Sequence, residues 1–190
     1  MRSADLLFFL VIALLQACRP EPVPKPRGYF RIDLPAKRYE VMEVPAPFVA
    51  EIPGHARLEA KDRQRDTSRW FDLRFSGQRA IVHLTWSPVG DDLHALIEDA
   101  HIFKGKHEAK ALGIGRERVI RAEDRVFGTI FHVEGDVASP LVFYLTDSTT
   151  NFLYGALYFD ARPNADSLSP VTTRIREDMR HFCSTLRWTP

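Results

Sequence analysis

The sequence has few or none of the features that mark several classes of protein. Its 190 residues include only 2 cysteines, which argues against a disulfide scaffold. The 26 basic residues nearly balance the 25 acidic ones, so there is no basic surplus of the kind that binds nucleic acid. With 45% hydrophobic and 27% charged residues, the composition is typical of one folded domain and excludes a disordered chain, a collagen and a coiled coil.

Short motifs typical of common enzyme classes are also absent, namely GxSxG, GxxxxGK[ST], HExxH, CxxC and GxGxxG. His94, Glu98 and His101 fall at steps of four and three on a predicted helix, on the face opposite its apolar stripe. They could ligate a metal, but a solvated helix face is the alternative. His83 and Cys183 could form a catalytic pair, although cysteine more often packs as a small apolar residue. We expect no enzymatic activity, no metal and no cofactor.

A run of ten apolar residues, 6–15, lies at the start of the chain. It is too short to cross a bilayer of about 30 Å as a helix, but it suits a signal peptide. The sequence Leu15-Gln16-Ala17-Cys18 resembles the bacterial lipobox. We predict that residues 1–17 are a lipoprotein signal peptide and that Cys18 carries the membrane lipid. An ordinary signal peptide that ends before a cysteine is the alternative.

Proline alternates with other residues directly after Cys18, at positions 20, 22, 24 and 26. Such a segment favours polyproline II at about 3.1 Å per residue. We predict that residues 18–27 comprise the lipidated cysteine and a tether, with a PxxP recognition ligand as the alternative, and that residues 28–190 form a single domain.

Residues 28–53 are rich in proline and large apolar side chains, which predicts irregular chain with short edge strands packed on the domain. Alternation of apolar and polar residues predicts a hairpin of strands 70–75 and 81–86. Asp91 and Asp92 open a helix that places Leu93, Leu96, Ile97, Ala100 and Phe103 on one face. The sequence further predicts strands at 126–133, 141–146 and 152–159, and a final helix that starts at Ser169-Pro170.

These elements show no regular alternation of strand and helix. Short connections between the later strands indicate antiparallel pairing. The predicted fold is therefore α+β, with an antiparallel β-sheet flanked by helices. The order of elements resembles the sandwich of PsbP and Mog1, a topological analogy that carries no function.

Several segments spread over the mature chain carry a family resemblance. They are Pro24–Pro35 with Tyr39, Lys106-His107, Ala138–Pro140, Leu145–Thr149, Phe152–Phe159, Pro163-Asn164 and Asp166–Leu168. Through them the chain resembles the gliding motility lipoprotein GldD family of the Bacteroidetes. The resemblance implies a cell-envelope lipoprotein required for gliding and associated with the type IX secretion machinery, with no established enzymatic activity. Arg19 departs from the acidic start that often directs such lipoproteins outside the cell. It favours the periplasmic side but does not distinguish between the two membranes. We expect the outer membrane rather than the inner.

Two segments are predicted to contact partner proteins of the gliding and secretion machinery. One has the arginine and aromatic composition of interfaces and contains Arg27, Tyr29, Phe30 and Arg31. The other is a turn with Asp147, Ser148 and Thr149, where turn chemistry alone is an alternative explanation. A periplasmic ligand-binding lipoprotein and an uncharacterised periplasmic enzyme stay open. The former predicts an apolar pocket of about 300 Å³ or more, and the latter a concave site with a perturbed His or Cys.

Overall fold

The largest element of the described residues is a seven-stranded antiparallel sheet. The computed structural model describes residues 32–61, 67–90, 92–105 and 111–189. In chain order its elements are β1 (Tyr39–Val41), β2 (Phe48–Val49), β3 (Glu51–Pro53), β4 (Arg57–Lys61), β5 (Arg69–Phe75), β6 (Ala80–Pro88), α1 (Leu93–Gly105), β7 (Gly113–Arg121), β8 (Val126–Glu134), β9 (Leu141–Thr146), β10 (Asn151–Phe159), α2 (Ala165–Thr185) and β11 (Arg187–Trp188). The strand order in the large sheet is β4-β5-β6-β10-β9-β8-β7.

All neighbouring strands of this sheet pair in antiparallel fashion, and the predicted hairpin of β5 and β6 is present. Alternation along the strands gives the sheet two faces. One face packs against α2 and forms the main core, which includes Phe71, Leu73, Val82, Leu84, Phe143, Leu153, Leu157, Ile175, Met179 and Phe182. The predicted α+β class, an antiparallel sheet flanked by helices, is confirmed.

The segment before the sheet packs onto the domain, as its aromatic residues predict. Phe48 is fully buried, and its ring makes edge contacts with the rings of Phe71 and Phe182. Its strand β2 pairs with β11, and β1 pairs with β3. The pairing of β2 with β11 therefore joins the beginning of the described chain to its end.

Helix α1 begins after Asp92, whose Oδ1 accepts a hydrogen bond from the Ala95 backbone N–H at 2.8 Å. Such a cap satisfies a donor that the first turn would otherwise leave unpaired. The apolar stripe packs on the second face of the sheet, as predicted, through Leu93, Leu96, Ile97 and Ala100. Asp91 lies outside the described residues, and the side chain of Phe103 is not described either.

Helix α2 begins at Ala165, so the predicted start at Ser169-Pro170 is wrong. The Asn164 side chain accepts a hydrogen bond from the Ser167 backbone N–H at 3.0 Å and caps the helix there. Asn is among the strongest N-cap residues, so an effective cap precedes the Ser-Pro pair. Pro170 consequently lies inside the helix, where it forfeits one helical hydrogen bond.

The sequence did not predict β4 or β7, which form the two edges of the large sheet. Strand β7 contains the charged run Arg116-Glu117-Arg118, which obscures its alternation, yet it pairs with β8 along nine residues. Charged residues are common on edge strands because they discourage pairing with other chains.

Gly155 lies within β10 in an unbroken register with Leu84 on β6 and Phe143 on β9. A Cβ at this position would lie 2.3 Å from the Phe143 ring. Glycine is therefore needed for the close approach of a side chain rather than of another backbone.

The predicted anchor and tether lie outside the described residues. This applies to Cys18 and to the predicted contact residues Arg27, Tyr29, Phe30 and Arg31. Within the described residues, no helix has the length and apolar character needed to cross a membrane.

Candidate functional site

The predicted contact turn joins β9 to β10 and is organised by one carboxylate. Asp147 Oδ1 accepts hydrogen bonds from the backbone N–H groups of Thr149, Thr150 and Asn151 at 2.9, 2.7 and 2.9 Å. Its Oδ2 accepts from Asn151 Nδ2 at 2.8 Å, and Asn151 Oδ1 accepts from Trp86 Nε1 at 2.9 Å. Asp147 therefore holds the turn together, as its local turn chemistry predicts.

Burial by itself raises the pKa of Asp147. The three backbone N–H groups and the Asn151 amide outweigh this effect, and the net pKa lies below the ordinary value of an aspartate. The carboxylate is thus ionised at neutral pH and available as a hydrogen-bond acceptor.

Ser148 and Thr149 lie at the surface of this turn. Ser148 has a φ of 71°, and its backbone N–H donates to Thr146 Oγ1 at 2.9 Å. Thr149 Oγ1 accepts from Arg125 Nη2 at 3.1 Å. The fold therefore presents two hydroxyl side chains on a rigid turn, and their role in partner contact stays a prediction.

A second feature, which the sequence did not predict, is a cavity of about 690 Å³ between α1 and the sheet. Its floor consists of small side chains on adjacent strands, Thr85 and Ser87 on β6 and Ala156 on β10. Thr85 pairs directly with Trp70 on β5 and with Tyr154 on β10. Because paired residues project on the same face, the two aromatic side chains form walls on either side of Thr85.

The roof of the cavity is α1, which contributes Leu96, Asp99 and Ala100. This helix packs over β9 and β10 through contacts with Tyr144 and Phe152. It leaves the same face of β5 and β6 less covered, which is why the cavity opens there.

One end of the cavity carries a polar cluster around Asp72, whose side chain is 7% exposed. Its oxygens accept from His83 Nδ1 at 2.7 Å, Lys61 Nζ at 2.9 Å and Arg74 Nη2 at 3.0 Å. Burial raises the pKa of Asp72, but hydrogen bonds from Lys61 and His83 outweigh it, and the net pKa lies below the usual value. His83 reaches from this cluster to the cavity, and its ring centroid lies 5.6 Å from that of Tyr158.

The structure does not bring His83 and Cys183 together. His83 lies on the α1 face of the sheet, whereas Cys183 is buried in the core on the α2 face. Burial raises the pKa of the Cys183 thiol far above its ordinary value, which disfavours the reactive thiolate. The cysteine is a free thiol that packs as an apolar residue.

The candidate metal ligands on α1 also separate. His94 and Glu98 lie at the surface with 3.9 Å between His94 Nδ1 and Glu98 Oε2. His101 turns towards the sheet, where its ring centroid lies 5.3 Å from that of Phe131, so the predicted common face is wrong for this residue. Within residues 32–61, 67–90, 92–105 and 111–189, no three His, Cys, Asp or Glu side chains form a group that could hold a metal ion.

Comparison with known proteins identifies a family for nearly the whole chain. The family described as gliding motility lipoprotein GldD matches residues 19–188. No curated protein and no solved structure matches the chain, so the analogy with PsbP and Mog1 stays a prediction. The match covers the folded domain, including the contact turn and the cavity, together with the segment directly after Cys18. The chain therefore belongs to the gliding motility lipoprotein GldD family.

Proposed function

We propose that this lipoprotein is an accessory or assembly component of the gliding machinery and of the type IX secretion system linked to it. Membership of the gliding motility lipoprotein family over residues 19–188 is the observation that carries the proposal. A lipoprotein of this family is anchored in the cell envelope. In the proposed arrangement the lipid on Cys18 holds it in the outer membrane rather than the inner one, and the domain faces the periplasm. Arg19, which departs from the acidic start of lipoproteins directed outside the cell, supports the periplasmic side.

The proposed role is contact with partner proteins rather than catalysis. The separation of His83 from Cys183 and the dispersal of the candidate metal ligands on α1 support a non-catalytic role. The exposed hydroxyls of Ser148 and Thr149 lie on a turn that Asp147 already holds in place. A preformed loop loses little conformational entropy when it binds, which favours its use as a contact surface.

Replacing Ser148 and Thr149 together with Ala tests this contact surface. Both side chains are exposed, so the double variant is expected to keep its abundance and its melting temperature within about 2 °C, and to lose gliding. Gliding on agar, immunoblots of envelope fractions and thermal melting of the purified protein measure the three quantities.

The matched control replaces Ser169 and Thr173, two exposed hydroxyl residues on α2, with Ala. The control is expected to glide normally. Normal gliding of the Ser148 and Thr149 variant would contradict the contact surface, as would a joint loss of stability and gliding.

Replacing Cys18 with Ala tests the anchor. The variant is expected to incorporate no labelled fatty acid and to leave the membrane fraction, because several acyl chains at about 0.8 kcal/mol per buried methylene supply the attachment. Cys183→Ala is the matched control, since the buried Cys183 has no predicted lipid, and it should label like the unmodified protein. Label on the Cys18 variant, or its retention in salt-washed membranes, contradicts the anchor.

A further inference from the structure

The shape of the cavity between α1 and the sheet suits a small, compact ligand. Its volume of about 690 Å³ lies within the range of small-molecule sites, roughly 300 to 1,000 Å³. Trp70 and Tyr154 flank Thr85 from strands that are two spacings apart, or about 10 Å. A flat ring that contacts both walls requires a wall-to-wall separation of roughly 7 to 8 Å, since each of the two carbon contacts spans about 3.5 to 4.0 Å. The cavity is therefore wide enough for one ring between its walls.

The charges around the cavity distinguish among ligands of this size. Its described lining contains no Lys or Arg, and it contains the carboxylate of Asp99 on α1. Asp99 is exposed and makes no ion pair with any described residue, so no described cation neutralises its charge. Burial raises the pKa of both Tyr154 and Tyr158, which keeps their hydroxyls uncharged. The described lining thus offers an anion no lysine or arginine side chain as a partner.

Two cationic groups of the described residues, Lys61 and Arg74, lie beside the His83 end of the cavity and are compensated. Lys61 and Arg74 form ion pairs with Asp72, and Arg74 also pairs with Glu59. These groups surround the end of the cavity marked by His83 and leave no net positive field there. Asp99 is therefore the uncompensated charge of the described lining.

Aromatic faces and a carboxylate together favour a positively charged organic group. The negative face of an aromatic ring attracts ammonium groups, most strongly when the ring is tryptophan. Trp70, Phe152, Tyr154 and Tyr158 supply such rings around one cavity, and Asp99 supplies the counter-charge. We propose that this cavity binds a small organic cation, an amine or quaternary ammonium compound with an apolar body of about one ring.

Three probes that share a benzyl group test the proposal by isothermal titration calorimetry. They are benzyltrimethylammonium, its uncharged carbon isostere neopentylbenzene, and phenylacetate. The mature lipidated chain is titrated in dodecyl maltoside micelles, and empty micelles provide the blank. The cation is expected to bind at least about fivefold more tightly than the neutral isostere, as an attraction of roughly 1 kcal/mol implies. Phenylacetate is expected not to bind.

Variants locate the binding within the cavity. Thr85→Phe fills the floor between the aromatic walls and is expected to abolish binding of benzyltrimethylammonium, whereas Thr173→Phe on the exposed surface of α2 should leave it unchanged. Asp99→Asn is expected to weaken binding about threefold to fivefold. Glu98→Gln removes a neighbouring carboxylate outside the described lining and should change binding by less than about twofold.

Three results would overturn the proposal. The first is no binding of the cation at 10 mM to protein with an unchanged melting temperature. The second is a neutral isostere that binds as tightly as the cation, which would indicate an unselective apolar pocket. The third is retained binding of the cation by a folded Thr85→Phe variant. If that variant does not fold, Trp70→Leu replaces it and is expected to lower the affinity for the cation at least about threefold. Unchanged affinity of Trp70→Leu would then contradict the proposal.

Discussion

Replacing Asp178 with Asn is expected to lower the free energy of unfolding by about 3 to 5 kcal/mol. Asp178 is completely buried in α2, and its two oxygens accept from Arg174 Nε at 3.1 and 3.2 Å. Without the carboxylate, the buried guanidinium has no counter-charge. Asp178 Oδ1 also accepts from the Tyr39 hydroxyl at 2.8 Å, a bond that ties β1 to α2. Urea denaturation followed by tryptophan fluorescence measures the change.

Two further variants make this result specific. Glu177→Gln removes the adjacent carboxylate of α2, which pairs with Lys37 at the surface, and should have little effect on stability. Replacing Arg174 with Met and Asp178 with Leu together removes both buried charges and should recover most of the lost stability. Equal effects of Asp178→Asn and Glu177→Gln would contradict a dominant role for the buried pair.

Replacing Asp147 with Ala is expected to cost about 2 to 4 kcal/mol at pH 7. The change removes the acceptor for three backbone N–H groups and for the Asn151 amide, and Asn151 is itself buried. A buried donor that loses its acceptor costs roughly 1 to 3 kcal/mol, while the exposed donors of the turn can bind water instead. Urea denaturation of both proteins measures the difference.

The effect of Asp147→Ala should depend on pH in a defined direction. The folded protein holds the pKa of Asp147 below its unfolded value of about 3.9. The unfolded chain therefore binds the proton more readily, and the stabilisation by Asp147 is complete above about pH 4 and is lost as the pH falls through the folded pKa. The difference between unmodified protein and variant should shrink between pH 5 and pH 3.

Asp160→Ala is the matched control for this pH dependence. Asp160 follows β10 and pairs with Arg79 at the surface, where its side chain is 81% exposed. Its loss should have little effect at any of these pH values. A stability difference for Asp147→Ala that stays constant from pH 5 to pH 3 would contradict the proposed role of its ionised form.

The contact turn and the cavity differ in how much of them the sequence predicts. The hydrogen bonds of Asp147 reach residues two to four positions along the chain, so turn chemistry predicts them. The cavity depends on Thr85 lying between Trp70 and Tyr154, residues far apart in sequence. Small residues at Thr85, Ser87 and Ala156 within aromatic strands are the available sequence signal. That signal does not indicate which strands are neighbours.

Local physics explains what the sequence by itself determined about this protein. Alternation with a period of two identified the hairpin of β5 and β6, and spacing of three and four identified α1. Aromatic and β-branched residues identified β8, β9 and β10. Family-specific segments such as Leu145–Thr149 indicated the family that the comparison over residues 19–188 then established. These properties reside in neighbouring residues, and they are readable without knowing the fold.

Tertiary structure decided which residues meet. It placed His83 and Cys183 on opposite faces of one sheet, turned His101 towards Phe131, and made an edge strand of the charged segment Gly113–Arg121. Each outcome depends on strand order and on which face each helix covers. A strand is stabilised by side-chain contacts with the neighbouring strands and by burial of its apolar face. Both depend on the whole sheet, so no local segment of the sequence determines the strand order.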